Sequence, residues 1–97
     1  MPEQYPGVEY IVAPREGQTV TGQVRVDFWA ADWDGLRRYE LLVDGVQRDD
    51  IQVSKSERDY FTWNTRKDSK GRHALSVRVT DSSNNVTSSP VVNVVVA

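Results

Sequence analysis

At 97 residues the chain can build one hydrophobic core but not two. With 38% hydrophobic and 27% charged residues it has the profile of a folded globular domain, not a disordered segment, and no apolar run approaches the ~20 residues of a membrane helix. The net charge of −2 gives no basic face for nucleic acid, while the lack of Cys and the single His exclude disulfides, thiolate nucleophiles, Cys-ligated zinc and His–His metal pairs.

The opening Met1-Pro2-Glu3-Gln4-Tyr5-Pro6-Gly7 has neither the basic nor the apolar stretch of a signal peptide. Residues 1–8 read as an N-terminal arm or linker, and 9–97 as a single domain. From Gly22 to Ala31, Val24, Val26, Phe28 and Ala30 fall on one face, and Arg25, Asp27 and Trp29 on the other. That period of two predicts a half-buried strand. The same rhythm returns at Tyr39, Leu41 and Val43, then at Phe61 and Trp63, then at Leu75, Val77 and Val79, and finally at Val92, Val94 and Val96. Turn-forming residues separate these runs: Arg15-Glu16-Gly17, Asp32-Trp33-Asp34-Gly35, Asp44-Gly45, the stretch from Lys67 to Gly71, and Asp81-Ser82-Ser83-Asn84-Asn85. No stretch carries apolar residues at helical spacing, so no helix is expected. About seven short strands punctuated in this way predict an all-β antiparallel sandwich. The C-terminal valine run would aggregate if left unpaired, and Ser88-Ser89-Pro90 before it limits slippage of its register.

Pro14-Arg15-Glu16-Gly17-Gln18-Thr19-Val20-Thr21-Gly22 resembles the P-x-x-G-x-T-V-x-G opening of bacterial Ig-like domains, modules found in secreted glycoside hydrolases, adhesins and phage structural proteins. The resemblance continues through Ala31 to Gly35, Tyr39 to Val46, Phe61 to Thr65, Gly71 to Leu75 and Val77 to Asp81, and ends with Asn84-Asn85-Val86. It implies a seven-stranded, Greek-key Ig-like β-sandwich. The strands would lie near Tyr10–Ala13, over Gly22–Ala31, Arg37–Val43, a short following strand, Asp59–Asn64, His73–Thr80 and Pro90–Val96. The first, second and fifth of these would form one sheet, and the third, sixth and seventh the other. Phe28, Leu41, Phe61, Trp63, Leu75 and Val77 would fill the core. Two features depart from the family: Trp29 and Trp33 stand where small or polar residues are usual, and Asn84-Asn85 replaces Gly-Asn in the last turn.

Catalytic chemistry finds little support. Asp32 with Asp34, and Asp49 with Asp50, could be read as paired carboxylates, but aspartates that fix their own turns account for both pairs. His73 has the parity of Leu75 and Val77, so a partly buried imidazole is expected there. Calcium is the one candidate ion. The resemblance brings the two loops holding Asp32, Asp34, Asp81 and Asn84 to one end of the sandwich, where their oxygens could contribute to a six- to eight-ligand shell. Ordinary turn chemistry is the competing account. No other cofactor is expected.

Aromatic residues give the clearest candidate for binding. Trp29 has outward parity, and the implied sheet order sets it near Tyr10, Val12 and Tyr60, forming an exposed patch of the kind that marks interaction sites. Cross-strand pairing that merely stabilises the sheet is the alternative. Trp33, in a loop, either plugs the end of the sandwich or is offered to a partner. On the opposite sheet Arg38, Glu40, Leu42, Ser76, Arg78 and Asn93 read as a solvated face with cross-strand ion pairs. The resemblance thus implies a non-enzymatic accessory or interaction module, at the cell surface or outside the cell, acting as a spacer or binding a neighbouring domain or another protein. A free-standing virion decoration protein and a polysaccharide-binding module using Trp29, Tyr60 and Trp33 are the alternatives. Neither nucleic-acid binding nor membrane insertion is expected.

Overall fold

The computed structural model describes residues 8–31, 35–53 and 60–97. Among them nine strands follow one another: β1 (Val8–Ala13), β2 (Thr19–Val20), β3 (Gln23–Ala31), β4 (Leu36–Val43), β5 (Val46–Gln52), β6 (Tyr60–Asn64), β7 (Gly71–Asp81), β8 (Val86–Ser88) and β9 (Val92–Val96). One sheet has the order β1-β3-β6 and the other the order β2-β9-β7-β4-β5, with β8 also paired to β7. This is the all-β, two-sheet Ig-like sandwich. Residues 1–7 of the expected arm lie outside the described residues, and Val8 already belongs to β1.

Seven strands were expected and nine are present among the described residues, because β2 and β8 form outside the expected ranges, each separated by a proline from the expected strand nearest to that proline. After β1 the chain meets Pro14, which has no N–H to donate to a ladder. The turn that follows is closed by Gln18 N–H donating to Arg15 O at 3.0 Å. The chain thereby changes sheets, and β2 pairs with β9 in parallel, Thr19 opposite Val95 and Val20 opposite Val96. The sandwich is therefore not wholly antiparallel. At the other end of the sequence Pro90 separates β8 from β9. Ser89 fills the gap: its N–H donates to Val77 O at 2.8 Å, and its Oγ accepts the Val77 N–H at 2.9 Å. Ser89→Ala would strip a buried N–H of its acceptor. Chemical denaturation should show a loss of about 1–3 kcal/mol; Ser89→Thr, which keeps the hydroxyl, should lose less.

The strand expected to be short, β5, runs for seven residues. Asp49 and Asp50 lie within it, not in a turn, and Asp50 accepts from Arg38 Nε at 3.2 Å. The β4–β5 connection is Asp44-Gly45, with φ of 53° and 80°. Two successive positive φ values make a tight hairpin whose twist matches the strands, and Val43 faces Val46 across it. Arg48 and Arg37 each fall at a break in register, between Asp49 and Gln47 and between Leu36 and Arg38. Such bulges re-aim a side chain.

Phe28, Leu41, Phe61, Trp63, Leu75 and Val77 are all buried. Phe28 stacks on Phe61 within its own sheet at 5.4 Å between ring centroids and meets Tyr39 of the other sheet edge-on at 4.9 Å. Each fully buried side chain of this kind contributes about 1.5–3 kcal/mol. The outer face of the larger sheet departs from the solvated surface expected. Glu40 is only 5% exposed because Arg78 grips it with two bonds of 2.9 Å and Arg38 approaches to 3.5 Å. Leu42 and Ser76 are buried as well. They face each other on the inner strands β4 and β7, where neighbours on both sides restrict access of water.

Candidate interaction surface

The outer face of the β1-β3-β6 sheet carries the aromatic residues. Alternation along β3 sends Val26 and Phe28 inward and leaves Trp29 53% exposed. Tyr10, directly opposite Trp29 in the ladder, is 47% exposed. The pairing register skips Val12 between Ile11 and Ala13, and this bulged residue is 51% exposed. These three residues form an apolar area at one end of the face. Tyr60 is half-buried and sits opposite Asp27, diagonal to Trp29. Its ring lies 3.9 Å beneath the Arg25 guanidinium, which also pairs with Asp27 at 2.7 Å. The face therefore has an aromatic half and a cation–π half, the latter worth about 0.5–1 kcal/mol at so exposed a site. The sequence reading placed Arg25 and Asp27 outward but overlooked their part in this face, although they share the parity of Trp29.

Trp33, Asp32 and Asp34 lie outside the described residues. The other two candidate calcium ligands serve the β7–β8 turn. Asp81 is fully buried, and its Oδ1 accepts the N–H of Ser83 at 2.9 Å and of Asn85 at 2.8 Å. Its Oδ2 accepts from Asn85 Nδ2 at 3.1 Å. Asn84 has φ 67°, the left-handed conformation that asparagine tolerates better than most residues, and so fills the position where the family usually carries glycine. Its side-chain oxygen accepts from Arg37. Among the described residues no group of three His, Asp or Glu side chains is placed to hold a metal, and no helix is long and apolar enough to cross a membrane.

A second polar cluster lies where the β4–β5 turn meets the connection between β6 and β7. Asp68 accepts the Trp63 indole N–H at 2.8 Å and takes both amino groups of Arg48. These bonds hold its carboxyl below the usual aspartate range, Arg48 contributing most. His73, buried at the start of β7, touches Asp44 and the carbonyl of Ser69. The sequence led to a partly buried His73, where the residue is buried, and not to its partners, which lie 29 and 4 residues away.

The two sheets, their order and the strand that changes sheets define an Ig-like module. The bacterial Ig domain profile matches residues 8–77, and the chain belongs to that family. Among solved structures it is similar to the fibronectin(III)-like modules of Clostridium thermocellum CbhA, at 13% identity and a TM-score of 0.78, over 92% of this chain and 94% of that one. It also resembles part of the endo-beta-1,4-mannanase from Thermotoga petrophila, at 12% identity and a TM-score of 0.77, over 98% of this chain. There it spans 20% of the larger protein. At such identities the likeness shows the fold. No curated protein matches the chain in sequence.

Proposed function

We propose that the chain is a non-catalytic accessory module of a bacterial secreted or surface protein, and that the outer face of the β1-β3-β6 sheet meets a neighbouring protein surface. The observation that carries this reading is the exposed Trp29 with Tyr10 beside it, on a face that needs neither residue to close the core. An indole left half in water forgoes about half its burial energy, and Trp and Tyr are residue types on which binding energy concentrates. The accessory role is supported by the family and by the similarity to one-fifth of a much larger mannanase. The same similarity supports a place outside the cell.

A flat aromatic pair could also stack on sugar rings, so polysaccharide binding is the competing reading. Affinity electrophoresis in gels containing mannan, xylan or soluble cellulose separates the two. We expect the chain and its Trp29→Ala variant to migrate alike in every gel. Retardation of the parent chain that Trp29→Ala abolishes would replace protein docking with carbohydrate binding. Turnover of any of these polymers by the purified chain would overturn the non-catalytic assignment.

A further inference from the structure

The clasp around His73 has a chemistry that the packing alone does not require. Nδ1 of the ring is 2.6 Å from Asp44 Oδ2, and Nε2 is 2.7 Å from the backbone oxygen of Ser69. An ionised carboxylate and a peptide carbonyl only accept hydrogen bonds. A neutral imidazole has one N–H, so it can satisfy one of these contacts and must turn a lone pair toward the other oxygen. Only the doubly protonated ring donates to both. Asp44 is fixed in turn: its Oδ1 accepts the Ala74 N–H at 2.9 Å, and its own N–H donates to Ala74 O at 2.8 Å. Ser69 follows Asp68, which holds Trp63 and Arg48, and the Trp63 ring meets the imidazole edge-on at 6.1 Å.

We propose that His73 is a pH-operated clasp, joining the β4–β5 turn to the β6–β7 connection while its ring carries two protons and releasing that connection when it loses one. The groups around the ring favour the closed form. Asp44 on the β4–β5 turn and Asp68 on the β6–β7 connection are both acidic, Arg48 of β5 is engaged by Asp68, and Val94 of β9, opposite His73, is apolar. Lys67, Lys70 and Arg72 along the chain are exposed. The bond to Asp44 is the main cause that raises the His73 pKa above its ordinary value, with Ser69 next. A group whose pKa is raised by folding stabilises the native state fully below its unfolded pKa, and that stabilisation fades as pH rises through the folded value. The clasp is thus closed below the ordinary histidine value and opens as pH rises through the raised one. The carboxylates act in the opposite sense. The pKa values of Asp44, Asp68 and Glu40 are lowered, so their contribution is lost only as pH falls through those depressed values.

His73 is the only histidine, so its ring resonances can be assigned without ambiguity by NMR. We expect a titration midpoint above the ordinary ~6.5, with both ring N–H protons present below that midpoint. Asp44→Asn keeps a residue that tolerates the left-handed turn while removing the charge, and should move the midpoint down by about one unit or more. The protection factor of the Trp63 indole N–H should fall about tenfold between about pH 6 and pH 9 in the parent chain. It should stay flat in His73→Gln. A midpoint at or below the ordinary value, or one unmoved by Asp44→Asn, would overturn the double protonation. A raised midpoint with unchanged Trp63 protection would overturn the release.

Discussion

Trp63→Ala is expected to lower the unfolding free energy by about 3–5 kcal/mol, the usual cost of truncating a buried aromatic side chain. Trp63 is buried on β6 and faces Val24 of β3 across the ladder. Its removal would open a cavity between the sheets, and Asp68 would lose the indole N–H that it accepts. A domain of this size has only about 5–15 kcal/mol of stability in total. A midpoint drop of roughly 12 °C or more should follow, at about 4–8 °C per kcal/mol. Trp63→Phe separates the two contributions, because it keeps most of the volume and loses the hydrogen bond. Its loss should be under half that of Trp63→Ala. A Trp63→Ala loss below about 1 kcal/mol would be incompatible with a core position.

Asp81→Ala should give the second large loss, about 2–3 kcal/mol, read from urea unfolding. The fully buried carboxylate accepts two backbone N–H groups and one side-chain amide, and charge-assisted bonds of this kind are worth more than neutral ones. Water can reach the exposed Ser83 and Asn85 once the carboxylate is gone, which keeps the cost below the sum of three orphaned groups. Asp81→Asn retains an acceptor and should cost about half as much. Because both oxygens already serve the turn, millimolar calcium should leave the melting temperature of the parent chain unchanged. A calcium-dependent rise abolished by Asp81→Asn would show that the carboxylate serves an ion instead.

The long strands were legible in the sequence because one of their faces is buried. In β3 and β7 the alternation of apolar and polar residues records the two environments directly. The two- and three-residue strands β2 and β8 are too short to show a period, and β2 pairs with a partner at the far end of the chain. The sequence Val46-Gln47-Arg48-Asp49-Asp50-Ile51-Gln52 shows only a short strand, and its full length is hidden because β5 lies at a sheet edge, where charge protects the strand against pairing with other chains. The outward position of Trp29 followed from parity alone. The polar clusters did not, because each joins a strand residue to a turn or connection elsewhere in the chain: His73 of β7 with Asp44, and Arg48 of β5 with Asp68. Arg48 reaches Asp68 from a register break that no local pattern announces.

The parallel contact between β2 and β9 also has a mechanical side. Gly17 N–H to Asn93 O, Val95 N–H to Gln18 O and Ala97 N–H to Val20 O span 2.7–2.9 Å between two stretches that run in the same direction. Tension that arrives through the residues before β2 and leaves through those after β9 draws the two stretches past each other lengthwise. All three bonds then bear the load together instead of parting one by one like the teeth of a zip.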